Sequence, residues 1–268
     1  VHWLSMLLAF LLLGIQGQQG AYAASASEIK LTFLGTGAPR PSLSRYGPAI
    51  LVEAGDYKIM VDAGPGMRER LFQAGGFEIL TAVDHILITH LHFDHCGGSV
   101  RWNKDRSGFE MSFKNAKYWS HKDHWQWATV PNNRERASFL KENILPIQEA
   151  GHLNFIENKH NIFDNFSALI VNGHTEAQMI PHITYKDKTI VFAADLLPST
   201  GHIPLPYVMG YDTKPLVTLT EKEKFLNEAA AKEYILFLQH DNYNECCTVQ
   251  HTEKGVRLND TFSLDEIL

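Results

Sequence analysis

Short apolar runs recur along the chain, and each of five runs ends at or just before a histidine or an aspartate. The runs occupy residues 58–61, 86–89, 168–171, 189–194 and 234–239. Nearly continuous apolar segments of this length predict strands that are buried on both faces. A further apolar segment, residues 49–53, precedes the first run across Ala54-Gly55-Asp56, which predicts a hairpin. Because functional sites of such sheets collect where the loops leave the strands, we expect the polar residues after these runs to form one.

Three segments between the strands have the spacing of amphipathic helices. Residues 67–74 predict a short helix, and residues 133–144 predict a second helix, which opens after Pro131 with two asparagines as capping candidates. Residues 221–232 predict a third helix with a capping-box spacing at its start. Strands that alternate with helices indicate an α/β fold. With no internal repeat and no long linker, the sequence predicts a single domain over residues 27–268.

The N-terminal segment has the pattern of an export signal. Residues 3–13 are almost entirely apolar, and a polar stretch leads from them to the small residues Ala21, Ala23, Ala24 and Ala26. A run of this length is too short to cross a bilayer, which takes roughly 20 residues. We therefore predict a signal peptide over residues 1–26, export to the periplasm or the medium, and no membrane anchor after cleavage.

Composition narrows the classes of partner. The 268 residues include 24 Lys and Arg against 30 Asp and Glu, a formal net charge of −6, whereas nucleic-acid surfaces are usually basic. Three cysteines cannot form a disulfide scaffold. We therefore expect a small-molecule substrate rather than nucleic acid, and oligomerisation is left open. The unusual number is 14 histidines, whose positions carry the chemistry.

Four metal-ligand side chains lie within six residues, as His90, His92, Asp94 and His95. On an extended loop, residues two apart project to the same side, so His90 and His92 can bind one ion. The next two turn towards a neighbouring position as the chain enters a helix. Imidazole combined with carboxylate suits zinc, and also iron or manganese. A pair of ions needs a shared anionic ligand, for which Asp195 at a strand end is the natural candidate.

The segment 89–98, followed in order by Gly173-His174-Thr175, Asp195 and His240, resembles the metallo-β-lactamase superfamily over nearly all of the mature chain. The resemblance implies an αββα four-layer sandwich with a site along one sheet edge. It also implies two divalent metal ions, most simply Zn²⁺. The first would be held by His90, His92 and His174, the second by Asp94, His95 and His240, with Asp195 bridging and Asp62 orienting a metal-bound histidine.

A dinuclear site of this kind implies hydrolysis by a hydroxide shared between the ions, at an ester, lactone or phosphoester bond. Two branches of the superfamily are resembled. Residues 31–42 and 62–66 look like the ribonuclease Z and phosphodiesterase branch. Gly173-His174-Thr175 and the long segment 102–151 look like the lactonase and glyoxalase II branch, although residues 176–178 depart from its usual motif. β-Lactamase activity is expected to be weak at most, because true β-lactamases generally lack an aspartate at the position of Asp195.

Two hypotheses from other functional classes remain open. Some superfamily members use iron, and an iron-dependent persulfide dioxygenase is one alternative, although those enzymes use a single ion and this chain offers two complete ligand sets. A non-catalytic metal-binding module is the other, and it would need a closed site. Metal analysis distinguishes a dioxygenase from a hydrolase, and a test of bond hydrolysis distinguishes a metal-binding module from a hydrolase.

The Pro-rich segment 197–211 directly after Asp195 is expected to shape the pocket. We predict that Tyr207, Tyr211 or His202 donates a hydrogen bond to the substrate oxyanion or leaving group, and that Asp94 is catalytic as well as a ligand. An aromatic cluster has helical spacing and is expected to pack in the core or a lid rather than contact substrate. It comprises Trp119, His121, His124, Trp125 and Trp127. Cys96 is expected to be a small buried filler.

Overall fold

The computed structural model describes residues 29–37, 46–157 and 165–263. The predicted signal peptide lies outside the described residues, as does part of the 31–42 segment. None of the helices within the described ranges has the length and apolar content needed to cross a membrane.

The first of two six-stranded sheets is built from the N-terminal half of the chain. Its spatial order is β1-β2-β3-β4-β7-β8. The first three strands are antiparallel neighbours and the rest are parallel. The predicted hairpin joins β2 to β3. The strands are Ile29–Gly35 (β1), Ala49–Ala54 (β2), Tyr57–Val61 (β3), His85–Leu87 (β4), Lys117–His121 (β7) and Leu153–Ile156 (β8), and a separate ribbon pairs Val100–Trp102 (β5) with Phe109–Met111 (β6).

The second sheet is built from the C-terminal half, in the order β14-β13-β12-β11-β10-β9. Only the central pair, β11 and β12, is parallel. Each of the five predicted strand runs is found as a strand within a few residues of its predicted bounds. The strands are Phe166–Val171 (β9), Gln178–Tyr185 (β10), Lys188–Phe192 (β11), Ile235–Phe237 (β12), Cys246–Thr252 (β13) and Gly255–Phe262 (β14).

Three apolar cores separate four layers, which confirms the predicted αββα sandwich. Alternate residues of one strand serve two cores, since Leu51 of β2 faces the helices while Ile50 and Val52 face the second sheet. The third core lies between the second sheet and the last helix, where Phe225 packs. The helices are Met67–Ala82 (α1), Phe93–Cys96 (α2), Lys122–Thr129 (α3), Lys141–Glu149 (α4) and Pro215–Ala231 (α5).

The predicted helix over residues 133–144 is wrong. The side-chain oxygen of Asn132 accepts the backbone N–H groups of Arg134 and Glu135 at 2.9 and 3.1 Å, which closes a tight turn where the helix was expected to start. Helix α4 begins later, at Lys141, and runs to Glu149. The turn therefore leaves the side chains of residues 134 and 135 on a loop, where they can reach the site.

The other helices begin or end differently from the prediction. Helix α1 continues past residue 74 across Gly75 and Gly76, whose backbones are not helical. Helix α5 starts at Pro215, six residues before the predicted start, because proline suits the first helical position. The supposed capping threonine, Thr220, lies inside this helix and donates to the carbonyl of Leu216 at 3.2 Å. Among the aromatic cluster, Trp119 and His121 lie on strand β7, whereas His124, Trp125 and Trp127 lie on α3.

Candidate metal centre

The carboxyl ends of two parallel strand pairs, β3–β4 and β11–β12, bring the predicted ligands to one edge of the sandwich. Asp62 follows β3, His90 follows β4, and Asp195 lies in a short 3-10 helix, Ala194–Leu196, directly after β11. The loops pack closely there, since a Cβ at Gly64 would lie 2.5 Å from the backbone oxygen of Asp94. Parallel strands aligned side by side thus place residues far apart in sequence at the same edge.

The structure divides the predicted ligands into two adjacent groups. One group contains His90, His92, His174 and Asp195, and the other contains Asp94, His95 and His240. Within each group, one ligand atom per residue lies within 4.8 Å of those of all the others. Six of the seven side chains are buried, and His240 is partly buried. The grouping matches the two ligand sets that the resemblance implies.

Asp195 faces both groups with different oxygens. Its Oδ2 lies 3.1 Å from Nε2 of His174 and 3.8 Å from Nε2 of His90. Its Oδ1 lies 3.0 Å from Nε2 of His240 and 3.3 Å from Nε2 of His95. A carboxylate with one oxygen directed at each group has the position of a ligand shared between two ions.

Each of the five histidines has its outward ring nitrogen against a protein group. His95 Nδ1 lies 2.8 Å from Asp62 Oδ2, His174 Nδ1 lies 3.0 Å from Asp212 Oδ1, and His240 Nδ1 lies 3.0 Å from the carbonyl of Gly37. His90 Nδ1 lies 3.1 Å from the hydroxyl of Thr89, and His92 Nε2 lies 3.4 Å from Glu135 Oε1. Such contacts hold the ring orientation and direct the other nitrogen's lone pair into the site.

Asp62 has four partners, which explains how it can hold His95 in place. Its Oδ1 accepts the backbone N–H of Thr89 at 2.7 Å, and its Oδ2 accepts the Thr89 hydroxyl and the side-chain amide of Gln239, both at 2.9 Å. Asp62 is fully buried, and its backbone adopts a positive φ of 61°. The aspartate thereby joins the ends of β3, β4 and β12.

The unpaired atoms of the site fit bound cations. Nε2 of His90 and Oδ1 of Asp195 are buried, and neither has a hydrogen-bond partner among the described residues. Nitrogens also face one another, with His95 Nε2 and His240 Nε2 3.0 Å apart and His174 Nε2 and His92 Nδ1 3.2 Å apart. Opposed imidazole nitrogens and an orphaned carboxylate oxygen are what a divalent cation satisfies, and this donor set suits zinc.

Electrostatics point the same way. Burial, together with the neighbouring histidines, holds the pKa of His90 well below its usual range, so its ring is the neutral form that metals require. Burial alone would raise the pKa of Asp195, but His240, His174 and His95 hold it well below its usual range. Burial lowers the pKa of His95, as it does that of His90. The carboxylates of Asp94, Asp195 and Asp62 outweigh this effect and raise the pKa of His95 well above its ordinary value. The three carboxylates around the His95 imidazole therefore give this part of the site a negative electrostatic potential.

His124 supports the loop that carries the motif. Its Nε2 accepts the backbone N–H of Leu91 at 2.8 Å, and its Nδ1 lies 2.5 Å from the carbonyl of Glu176. Burial lowers the pKa of His124 to about 3, so the ring is neutral and acts as donor on one side and acceptor on the other. This histidine packs as expected, and it also joins the two metal-ligand loops.

A cavity of about 310 Å³ opens beside both groups. Asp94 lies in its wall, as do His92, His174 and Asp195 of the first group. The remaining wall comes from the loops at residues 134–138 and 210–211 and from Phe93. Of the three side chains predicted to contact substrate from segment 197–211, Tyr211 lines this cavity, whereas Tyr207 and His202 are not among its described lining residues.

Several site residues were missed by the sequence prediction. Asp212 and Gln239 carry no local motif, and Glu135 lay in a segment predicted as helix. Glu135 is buried and accepts hydrogen bonds from Trp127 Nε1 at 2.7 Å and Asn132 Nδ2 at 2.6 Å. Burial opposes ionisation of Glu135, but its hydrogen bonds with His92, Thr175, Asn132 and Trp127 lower its pKa to about 2.

Two solved structures with the same fold are described as metal-dependent enzymes. A probable metal-dependent hydrolase from Staphylococcus aureus superposes with a TM-score of 0.71 at 19% identity, covering 88% of this chain and 98% of that one. AidC, described as a dizinc quorum-quenching lactonase in complex with a homoserine product, gives 0.71 at 19% identity, covering 88% and 95%. At 19% identity, the similarity to these two structures establishes a shared fold alone.

Curated relatives match over a shorter stretch. Ribonuclease Z of Bradyrhizobium diazoefficiens is 49% identical over 69 residues, which are 25% of this chain and 22% of that protein. Ribonuclease Z of Methanopyrus kandleri is 39% identical over 71 residues, which are 26% and 25%. The match thus spans about a quarter of these relatives' length. Because both are named as ribonucleases, the exclusion of nucleic acid that we predicted from net charge is not supported.

A family model tests the resemblance over a longer stretch than either relative. The model described as the metallo-beta-lactamase superfamily matches residues 44–240, which includes every residue of the two ligand groups. With the sandwich and the ligand arrangement, this match confirms the predicted family: the chain belongs to the metallo-β-lactamase superfamily.

Proposed function

We propose that the protein is a dinuclear zinc hydrolase that cleaves an ester, lactone or phosphoester bond in a small molecule. The observation that carries this proposal is the position of Asp195, whose two oxygens face separate ligand groups. One ion would be held by His90, His92 and His174, and the other by Asp94, His95 and His240, with Asp195 shared. When bound, such ions lower the pKa of water and act as Lewis acids towards a carbonyl or phosphoryl oxygen.

The chain's own residues determine what reaches this site. Asp94 and Asp195 both line the cavity, so a substrate in the cavity contacts both ligand groups at once. The volume of about 310 Å³ is near the lower end for ligand pockets and supports a small substrate. Tyr211 lies in the same wall and is the one predicted hydrogen-bond donor among the described lining residues. Phe93 supplies an apolar surface beside it.

A nuclease of the ribonuclease Z type is the second candidate, favoured by the 49% identity over 69 residues. The two candidates differ in substrate size and charge. A phosphodiesterase would cleave bis(4-nitrophenyl) phosphate and process an RNA substrate, whereas a lactonase or esterase would cleave a γ-lactone or an aryl ester.

Metal analysis and a hydrolysis panel test the proposal together. In the wild type we expect about two zinc ions per chain and turnover of at least one substrate class. In Asp195→Ala we expect the loss of zinc binding and of turnover. His251→Ala, which removes an exposed histidine away from the site, serves as the matched control and should retain both. One iron per chain with no hydrolysis would overturn the proposal in favour of a dioxygenase. Two zinc ions with no turnover of any member of the panel would indicate a metal-binding module.

We further propose that the protein is exported and that residues 1–26 are removed. The support is the apolar run followed by alternating small residues in the sequence. N-terminal sequencing of protein recovered from the periplasm or the medium should begin at or near Ser27. Recovery of the protein only in the cytosol with its N-terminus intact would contradict export.

A further inference from the structure

Arg134 lies in the wall of the catalytic cavity, on the loop formed by the turn after Asn132. The same wall contains Tyr211, Ser138 and the three carboxylates of Asp94, Glu135 and Asp195. Among the lining residues that the structure describes, Arg134 is the only lysine or arginine. Nothing in the two-metal chemistry requires a guanidinium group at this position.

The guanidinium is held in place without being neutralised. Its Nη2 donates to the backbone carbonyl of Gly210 at 2.7 Å and to that of Asp212 at 3.3 Å. Both acceptors are uncharged. Within residues 29–37, 46–157 and 165–263 no carboxylate forms an ion pair with this side chain, although charge-paired arginines such as Arg101 with Glu110 occur elsewhere. The positive charge of Arg134 is thus available at the cavity wall.

The acidic groups of the cavity have other partners. Asp195 faces His174 and His240, and Asp94 Oδ2 lies 3.8 Å from Nε2 of His240. Glu135, next to Arg134 in sequence, is directed away towards Trp127, Asn132 and His92. These carboxylates are committed to the histidines and to buried donors, so within the described ranges the exposed guanidinium of Arg134 has no acidic partner and can pair with an anion from outside the chain.

We propose that Arg134 binds an anionic oxygen group of the substrate, a carboxylate or a phosphate, that is separate from the bond cleaved at the metals. This inference rests on the proposed hydrolase function and names its substrate class. A guanidinium group donates two parallel hydrogen bonds to a carboxylate or phosphate, which suits it to this recognition. Phe93 and Tyr211 line the cavity with it and accommodate a short apolar stretch of the substrate.

A pair of esters that differ in one charge tests the proposal. The substrates are mono-4-nitrophenyl glutarate and 4-nitrophenyl pentanoate, which share the leaving group and the length of the acyl chain. In Arg134→Met we expect kcat/KM for the glutarate ester to fall about 10- to 100-fold, mainly through KM, as expected when a charged hydrogen-bonding partner is lost. The pentanoate ester should change less than about twofold.

Controls separate binding from positioning. Arg136→Met removes an exposed arginine two residues away that is not among the lining residues, and it should leave both esters unchanged. Because Arg134 also contacts the carbonyl of Asp212, a merely structural role would lower turnover of both esters equally and reduce the zinc content of Arg134→Met. That outcome would overturn the proposal, as would a glutarate ester preferred no more by the wild type than by the variant.

Binding measurements decide the question even if neither ester is hydrolysed. Calorimetric titration of the zinc-loaded protein with glutarate and with pentanoate compares two carboxylates against one. We expect the tighter binding of glutarate to disappear in Arg134→Met, and equal binding by both proteins would refute the subsite. Replacing glutarate with 4-phosphonobutanoate shows whether the second anion is better recognised as a carboxylate or as a phosphoryl group. Absence of ester hydrolysis would count against the proposed function alone.

Discussion

Oδ1 of Asp212 lies 3.0 Å from Nδ1 of His174, and both side chains are buried. The carboxylate approaches the ring on the side opposite the first ligand group, whose member His92 faces the other ring nitrogen at 3.2 Å. A carboxylate in this position fixes the ring's tautomer and orientation and makes the imidazole a stronger ligand. Asp212 therefore orients the ring of His174 in the same way as Asp62 orients the ring of His95.

Replacement of Asp212 by asparagine should weaken zinc binding by about 10- to 100-fold, the range found for outer partners of metal-binding histidines. The amide keeps the size of the side chain but removes its charge. Competition of the protein with a chromophoric chelator measures the zinc dissociation constants directly. Asp187→Asn, at an exposed turn, is the matched control and should bind zinc like the wild type. Equal affinity in Asp212→Asn would show that the contact with His174 contributes nothing to binding.

The clustering of these side chains at one sheet edge was predictable because its information is local, with four of them within six residues and three after apolar strand runs. Their division into two ligand sets came from the resemblance to the superfamily. The groups behind the ligands are different. Gln239 and Asp62 are 177 residues apart, and Asp212 and His174 are 38 apart. The resemblance marked Asp62 and His174, but only the packing of the loops brings Gln239 and Asp212 to them, and no spacing rule marks these two partners.

Errors in the helices had two origins, one local and one tertiary. The start of α5 carries a local signal in Pro215, which the capping-box spacing at Thr220 outweighed in our prediction. The Asn132 side chain accepts the backbone N–H groups of Arg134 and Glu135 as a helix cap would, so the local signal after Pro131 was real. The helix does not continue beyond this turn, where Glu135 contacts Trp127 and His92, and contacts of this kind leave no local signal.

Removal of the metal ions should destabilise the protein. The native state offers seven clustered ligands that the unfolded chain lacks, so free zinc at about 100 times its dissociation constant would add about 2.7 kcal/mol to the free energy of unfolding. For a domain of this size that corresponds to a rise of roughly 5–10 °C in Tm. Thermal unfolding with zinc and with excess EDTA measures the difference. The shift should be much smaller in His92→Ala, and a wild-type Tm that ignores EDTA would argue against resident metal.

Lys222 holds the segment after Asp195 from beneath. The side chain is fully buried, and its Nζ donates to the backbone carbonyls of His202, Pro204 and Tyr207, at 2.9 and 3.3 Å for the first two. Lys222→Met keeps the length of the side chain but leaves three carbonyls without this donor. We expect a loss of about 2–3 kcal/mol in the free energy of unfolding, measured by urea denaturation. Lys224→Met, at an exposed position of the same helix, should cost little, and equal losses would contradict the role of Lys222.

The same lysine should give stability a pH dependence. Burial lowers the pKa of Lys222 from 10.5 to about 8, although Asp212 opposes the shift, and His202 is the other titratable group nearby. Between these two pKa values the unfolded chain binds more protons than the native protein, so the free energy of unfolding rises with pH across this window as the cost of burying the charged amine disappears, and below pH 8 that cost is fully present. The rise is at most about 3 kcal/mol. Urea denaturation at pH 7.5 and 10 should show it in the wild type but not in Lys222→Met, and parallel curves would disprove it.

Gly173, which precedes the ligand His174, allows helix α5 to approach the site. A Cβ on this residue would lie 2.3 Å from the hydroxyl oxygen and 2.4 Å from the backbone nitrogen of Thr218, distances that no relaxed structure contains. Its carbonyl also accepts the backbone N–H of Lys214 at 2.9 Å. In Gly173→Ala the helix or the ligand loop has to move, and because overpacking costs about 1–3 kcal/mol we expect lower stability together with weaker zinc binding. Gly108→Ala is the matched control, since its Cβ would meet only the Asn103 amide at 3.8 Å. Urea denaturation and zinc titration of both variants decide the point: a Gly173→Ala protein as stable as Gly108→Ala, with unchanged zinc affinity, would mean that the close contact with Thr218 does not position His174.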